Sequence, residues 1–282
     1  MPQKSPSVVY HADSRLKHPA EFVKSALRDA AKSLPAARRL FIRNLATQYR
    51  HSSLGLAWAF IPVIITAVAI SIGQKTQIIS THRGDVPPPF YGVFGLAMAQ
   101  TFVDGVNGLR MVFDKHAMIL KRNRVPTEGL IAAAFIDLLF GLFIRLTMIT
   151  LVCMVFKVKP VATFPIAIVG FLGILLSGAG LGLMLAPFSS LKRDIDSVMN
   201  YFPWILFAIT PVFVKTTPGT TVALIHQWNP LGYVMNSTRS LMYGAPGPRW
   251  AAVIAVPVGL ALITFGWLSC RFCRPYVVER ML

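Results

Sequence analysis

The sequence predicts an all-α integral membrane protein with six membrane-spanning helices, preceded by an amphipathic helix on the cytoplasmic surface. Two observations carry this. Over 282 residues the chain is 54% hydrophobic and only 14% charged, with a mean hydropathy of +0.58, far too apolar for an ordinary soluble domain. It also contains six runs near the roughly 20 apolar residues that a helix needs to cross a hydrocarbon core about 30 Å thick. These fall at about 54–73, 90–112, 129–156, 163–187, 198–214 and 250–270. They lack the period-two alternation of barrel strands, and lipid offers the backbone no hydrogen-bond partner, so each run is expected to be helical.

The orientation follows from Lys and Arg. No apolar signal segment precedes residue 54, so the amino terminus is expected to stay in the cytoplasm. Twenty Lys and Arg residues lie in the segments on that side and seven in the alternate loops, which puts both termini in the cytoplasm. The formal net charge of +17 then reflects basic residues beside anionic headgroups rather than a nucleic-acid-binding patch. Cys153, Cys270 and Cys273 give no disulfide framework, and the Cys-x-x-Cys pair they include is read as structural.

Residues 1–19 are polar and expected to be disordered. From 20 to 53 apolar residues recur at helical spacing, among them Phe22, Ala26, Leu27 and Leu34, then Leu40, Phe41 and Leu45. Arg and Lys fill much of the rest. This predicts an interfacial helix, kinked or interrupted at Pro35. The first span opens with "LGLAWAFIP" from Leu54, placing Trp58 near interface depth. In the second span Gln100, Asp104 and Asn107 are spaced i, i+4, i+7 and share one face, which is expected to point into the bundle or a pore. Asp137 and Arg145 in the third span lie more than two turns apart, so each is expected to find its partner on another helix.

The basic segment 113–126, "FDKHAMILKRNRVP", reads either as a short helix that inserts into a partner or as a loop obeying the charge bias. In the fourth span Gly173 and Ser177, then Gly178 and Gly182, have small-xxx-small spacing, a signal for close helix packing. Tyr201, Trp204 and Phe207 concentrate aromatic rings in the fifth span, either as an interfacial belt or as a stacking surface for sugar rings inside a conduit. In the outer segment Asn229 and Pro230 form an N-cap and N1 pair and Gly244 a C-cap, predicting a helix that dips back into the outer face. With the stretch 221–227 before it, this helix would line an outer mouth within 219–244.

Catalytic signatures are missing. The chain has no GxxxxGK[ST], no HExxH, no GxSxG and no carboxylate or histidine cluster at ligand spacing, so it is read as a non-enzyme. A membrane enzyme of lipid-linked sugar synthesis would need paired acids or a His/Asp base.

Taken in order, Tyr49, Ser52, Leu54-Gly55, Trp58 and Pro62, with Gln48 where an Arg is common, then Val125-Pro126, Arg193-Asp194, Pro211-Val212 and Trp228-Asn229-Pro230-Leu231, resemble the permease subunits of type-2 ABC exporters of polysaccharides such as O-antigen, capsule and teichoic acid. The resemblance runs from about Leu40 to the end. It implies a half-transporter: a homodimer of permeases on two copies of a separate ABC ATPase that holds ATP and Mg, moving a lipid-linked glycan across a bacterial inner membrane. It further implies that 113–126 docks on the ATPase, with Asp114, Lys115, His116, Lys121, Arg122 and Arg124 at the contact. Trp58, Gln100, Asp104, Asn107, Tyr201, Trp204 and Phe207 are the expected path. Arg50 and Arg110 are expected to attract a phosphate headgroup, while Trp228, Asn229, Pro230 and Tyr233 form an outer gate. The alternatives are an ABC permease for a lipid or drug and, less in keeping with the missing motifs, the membrane enzyme.

Overall fold

A computed structural model describes residues 19–50, 61, 64–65, 68–69, 72–73, 88–118, 127–158, 162–192, 194–212, 228–245 and 247–281. Among the described residues there are eight helices and no strand. In chain order they are α1 (Pro19–Arg50), α2 (Pro88–Arg110), α3 (Val112–Lys115), α4 (Thr127–Val155), α5 (Phe164–Leu191), α6 (Asp194–Ile209), α7 (Pro230–Tyr243) and α8 (Trp250–Met281). Among the described residues three segments are long and apolar enough to cross a bilayer: α4, α5 and the 250–273 part of α8. The tail 1–18, Trp58, Lys121, Arg122, Arg124 and the stretch 221–227 lie outside the described residues.

α5 is the central post. Small residues on two sides let its neighbours approach at backbone distance. A Cβ added to Gly178 or Gly182 would stand 2.4 Å from the Phe102 carbonyl oxygen or 2.2 Å from that of Val106, both on α2. On the opposite side Gly173 and Gly180 meet Ala255 and Leu262 of α8. One apolar core joins Phe94, Met98, Phe171, Ile174, Leu175 and Met235, with Phe94 and Phe171 edge to face at 5.4 Å. A second, toward the end holding the helix α3, joins Leu109, Phe113, Leu130, Leu183 and Ala186.

α1 runs as one helix for 32 residues through Pro35, where a kink or an interruption was expected. A proline inside a helix forfeits one backbone hydrogen bond, and here packing on both sides of it holds the helix together. Ser33, Ala37 and Leu40 are buried on the face that packs on α4, and Phe41 meets Phe140 edge to face at 6.0 Å. Leu27 and Leu34, one heptad apart, stay exposed on another face, which suits a helix lying in an interface.

α6 is shorter than the run that predicts it. At 16 residues it measures about 24 Å at 1.5 Å per residue, and the chain bends at Thr210 before Pro211. Only Leu206 of this helix is buried. α7 is capped as the sequence dictates: the Asn229 side chain accepts a hydrogen bond from the Leu231 backbone N–H at 3.0 Å, and Gly244 ends the helix in the left-handed region with φ 78°.

Candidate functional site: an intramembrane charge cavity and two bracketing clusters

The polar residues of α2 and α4 meet in a cavity of about 260 Å³. Asn44 of α1, Asp104 of α2, Asp137 and Arg145 of α4, and Lys115 and His116 beyond α2 line it. Arg145 donates to the Asp104 carboxylate at 2.6 Å and to the Thr101 hydroxyl at 2.9 Å. Asn44 donates to Asp137 at 3.4 Å. Asp137 and Arg145 therefore both find partners on other helices, as their spacing requires. Asp104 is 54% exposed. A half-exposed carboxylate at this depth is costly against lipid, so the cavity side of α2 is the side that faces water or protein.

Gln100 and Asn107, on the same helix face as Asp104, are half-buried, and the Asn107 side-chain oxygen is buried without a hydrogen-bond partner. Of the segment beyond α2, Asp114 and Lys115 are exposed whereas His116 is buried. Its Nδ1 donates to the Val112 carbonyl at 3.0 Å, and burial lowers its pKa, so it favours the neutral ring. The buried His116 ring is thus set against the end of its own helix. Asp114 shifts the other way: although the residue is exposed overall, partial desolvation of its carboxyl and the nearby Asp196 carboxylate raise its pKa, with Arg110 opposing.

Arg110 is 4% exposed, donates to the Ser189 hydroxyl at 2.6 Å and pairs with Asp196 of α6. Its charge is thus compensated inside the protein, because an unpaired cation there would incur the full desolvation cost. The Arg50 side chain lies outside the described ones. A matching cluster sits at the start of α4, where Arg271 of α8 donates to Glu128 at 2.8 Å and to Asp29 and Ser25 of α1 at 2.8 and 3.1 Å. Arg271 belongs to the Cys-Arg-Phe-Cys stretch, whose thiols are free; Cys270 donates to the Leu183 carbonyl.

Tyr201 and Trp204 are 68% and 70% exposed on α6, whereas Phe207 packs against the core. The structure does not bring these rings into the charge cavity. At the opposite end Trp228 is 87% exposed and Tyr233 is also exposed. Asn229 donates to the Ile209 carbonyl and the Thr210 hydroxyl, both at 2.9 Å, tying the end of α6 to the start of α7.

Sequence reasoning missed Arg239. Counted among the outer-loop charges, it is instead 1% exposed. It donates to the Pro211 and Val212 carbonyls at 2.8 and 2.9 Å and lies 4.0 Å over the Tyr91 ring. The available signal was its position within the apolar helix α7, next to the Leu241-Met242 face. Gly95 makes room for it: a Cβ there would lie 2.0 Å from the Val212 oxygen and 2.5 Å from the Arg239 guanidinium.

A family description for ABC-2 type transporters matches residues 36–243, which takes in the cavity, the Arg110–Asp196 pair and Arg239. Comparison with curated proteins returns no match. The apolar helices and this match over most of the chain make it a membrane protein and a transporter component: the chain belongs to the ABC-2 type transporter family, whose members are the membrane permeases of ATP-driven transporters.

Proposed function

We propose that this permease exports a lipid-linked polysaccharide across a bacterial inner membrane, as a homodimer on two copies of an ABC ATPase that holds ATP and Mg. In this reading the chain crosses six times with both termini in the cytoplasm, segment 113–126 docks on the ATPase, and α7 with the stretch before it forms the outer gate. The observation that carries the substrate class is the pair Tyr201 and Trp204, two large rings left exposed on a helix that buries only Leu206. Rings that do no work in the fold suit a sliding polymer, because stacking on a sugar face holds position along the chain weakly. The order of short motifs from Tyr49 to Leu231 supports the same reading.

Asp104, with Gln100 and Asn107 beside it, borders the path at the cavity side of α2, and Trp228 and Tyr233 stand at the outer mouth. Replacing Tyr201 and Trp204 together by alanine is expected to lower surface glycan at least tenfold while the transporter assembles normally, measured by glycan display beside complex yield. Unchanged display in a normally assembled transporter removes the stacking role and favours a lipid or drug as cargo.

A further inference from the structure

The segment proposed to meet the ATPase is bracketed by the two guanidinium clusters, and they differ in what they hold. On its far side Glu128, two residues beyond Pro126, is bound by Arg271, which also grips Asp29 and Ser25 of α1. Glu128 is buried and receives a further bond from Thr127. That cluster ties α1, α4 and α8 together, and α8 is locked to α5 at glycine contacts along its length. On the near side Arg110 holds Asp196, in the first turn of α6, with Ser189 donating to the same carboxylate oxygen at 3.0 Å. Asp114, inside the segment, feels the charges of both Asp196 and Arg110. α6 buries one side chain and carries Pro203, so it is the helix least held by the core.

We infer that the Arg110–Asp196 pair is a transmission link: it passes displacement of segment 113–126 to α6, the helix that bears Tyr201 and Trp204, while the Arg271 cluster keeps α1, α4 and α8 as the fixed frame. Asp196 and Arg110 are positioning residues in this scheme and touch no substrate. The Arg110 guanidinium is buried while Asp196 is partly exposed, so losing the carboxylate would leave a buried cation uncompensated, and the two helix ends are held to move together. The inference rests on the reading of 113–126 as the ATPase contact.

The test uses the assembled transporter in vesicles, with the native cysteines replaced and spin labels on Val198→Cys of α6 and Lys32→Cys of α1, both exposed positions. Vanadate-trapped nucleotide is expected to change this distance by a few ångströms relative to the nucleotide-free state. Asp196→Asn is expected to abolish the change while basal ATP hydrolysis and complex yield persist. The swap Arg110→Asp with Asp196→Arg is expected to restore it, which a merely structural role does not predict. A distance that does not respond in the parent protein, a response that survives Asp196→Asn, or a swap no better than Asp196→Asn overturns the link. An ATPase that never binds contradicts the functional reading itself; a bound ATPase with no distance response contradicts only the link, whatever the cargo.

Discussion

Gly182→Val is expected to prevent assembly of the bundle. The first side-chain carbon would stand 2.2 Å from the Val106 carbonyl oxygen and 2.9 Å from that residue's carbonyl carbon and Cα, all backbone atoms of α2. No rotamer relieves such a contact, so the two helices must separate. Separation uncovers the interface that also contains Gly105, itself within 3 Å of α5 backbone for any added Cβ. Overpacking at a yielding site costs about 1–3 kcal/mol, and a rigid backbone contact belongs at or above the upper end. Gly141→Ala provides the contrast, because a Cβ there meets nothing within 4 Å. Thermal unfolding and monodispersity in detergent are expected to show loss of folded protein for the first variant and no loss for the second. A Gly182→Val protein with parental stability would mean that α2 and α5 do not meet as described.

Arg239→Met is expected to have the second largest effect. It removes three hydrogen bonds donated by the guanidinium, to the Pro211 and Val212 carbonyls and the Asn236 side-chain oxygen, each worth roughly 1.5–3 kcal/mol, and leaves those two carbonyls buried without that donor. The contact with the Tyr91 ring is lost with them. Together these predict destabilisation of about 3 kcal/mol or more, read as a lowered unfolding midpoint, with export lost through release of α7 from the end of α6. Arg239→Lys is not expected to rescue, since a single ammonium cannot span both carbonyls and stack on the ring. Arg249→Met, at an exposed position in the same region, is expected to change neither stability nor export. Equal behaviour of the variants at 239 and 249 would show that Arg239 is no latch.

What the sequence discloses and what it hides divide along the range of the interactions. Local chemistry is legible: Asn229-Pro230 and Gly244 mark the ends of α7, because caps are set by a residue's own backbone neighbours. The spacing of Gly178 and Gly182 likewise announces a close helix contact, although it does not say which helix. The need of Asp137 and Arg145 for partners is also readable, since an ionised group in a span cannot stay alone.

The partners themselves are not readable. Asp196 lies 86 residues from Arg110, and Asp29 lies 242 from Arg271. Arg110 and Arg239 look like loop and rim charges because the charge bias that orients a membrane protein treats every Lys and Arg near a span end alike. Whether such a side chain faces water or closes a buried cluster depends on carbonyls and carboxylates brought in by distant helices. Pro35 teaches the converse: a strong local break signal yields where packing on α4 holds both sides of it.

If this chain is one half of an ATP-driven glycan exporter, as proposed, an ATPase subunit accompanies it in the membrane and responds to the cargo. Purification of the tagged chain with its native neighbours, followed by ATP hydrolysis assayed with added lipid-linked glycan, tests that claim. The prediction is a P-loop ATPase in one-to-one ratio whose hydrolysis rises with the glycan. Absence of any ATPase after gentle extraction, together with unchanged surface glycan in cells lacking the gene, would contradict it.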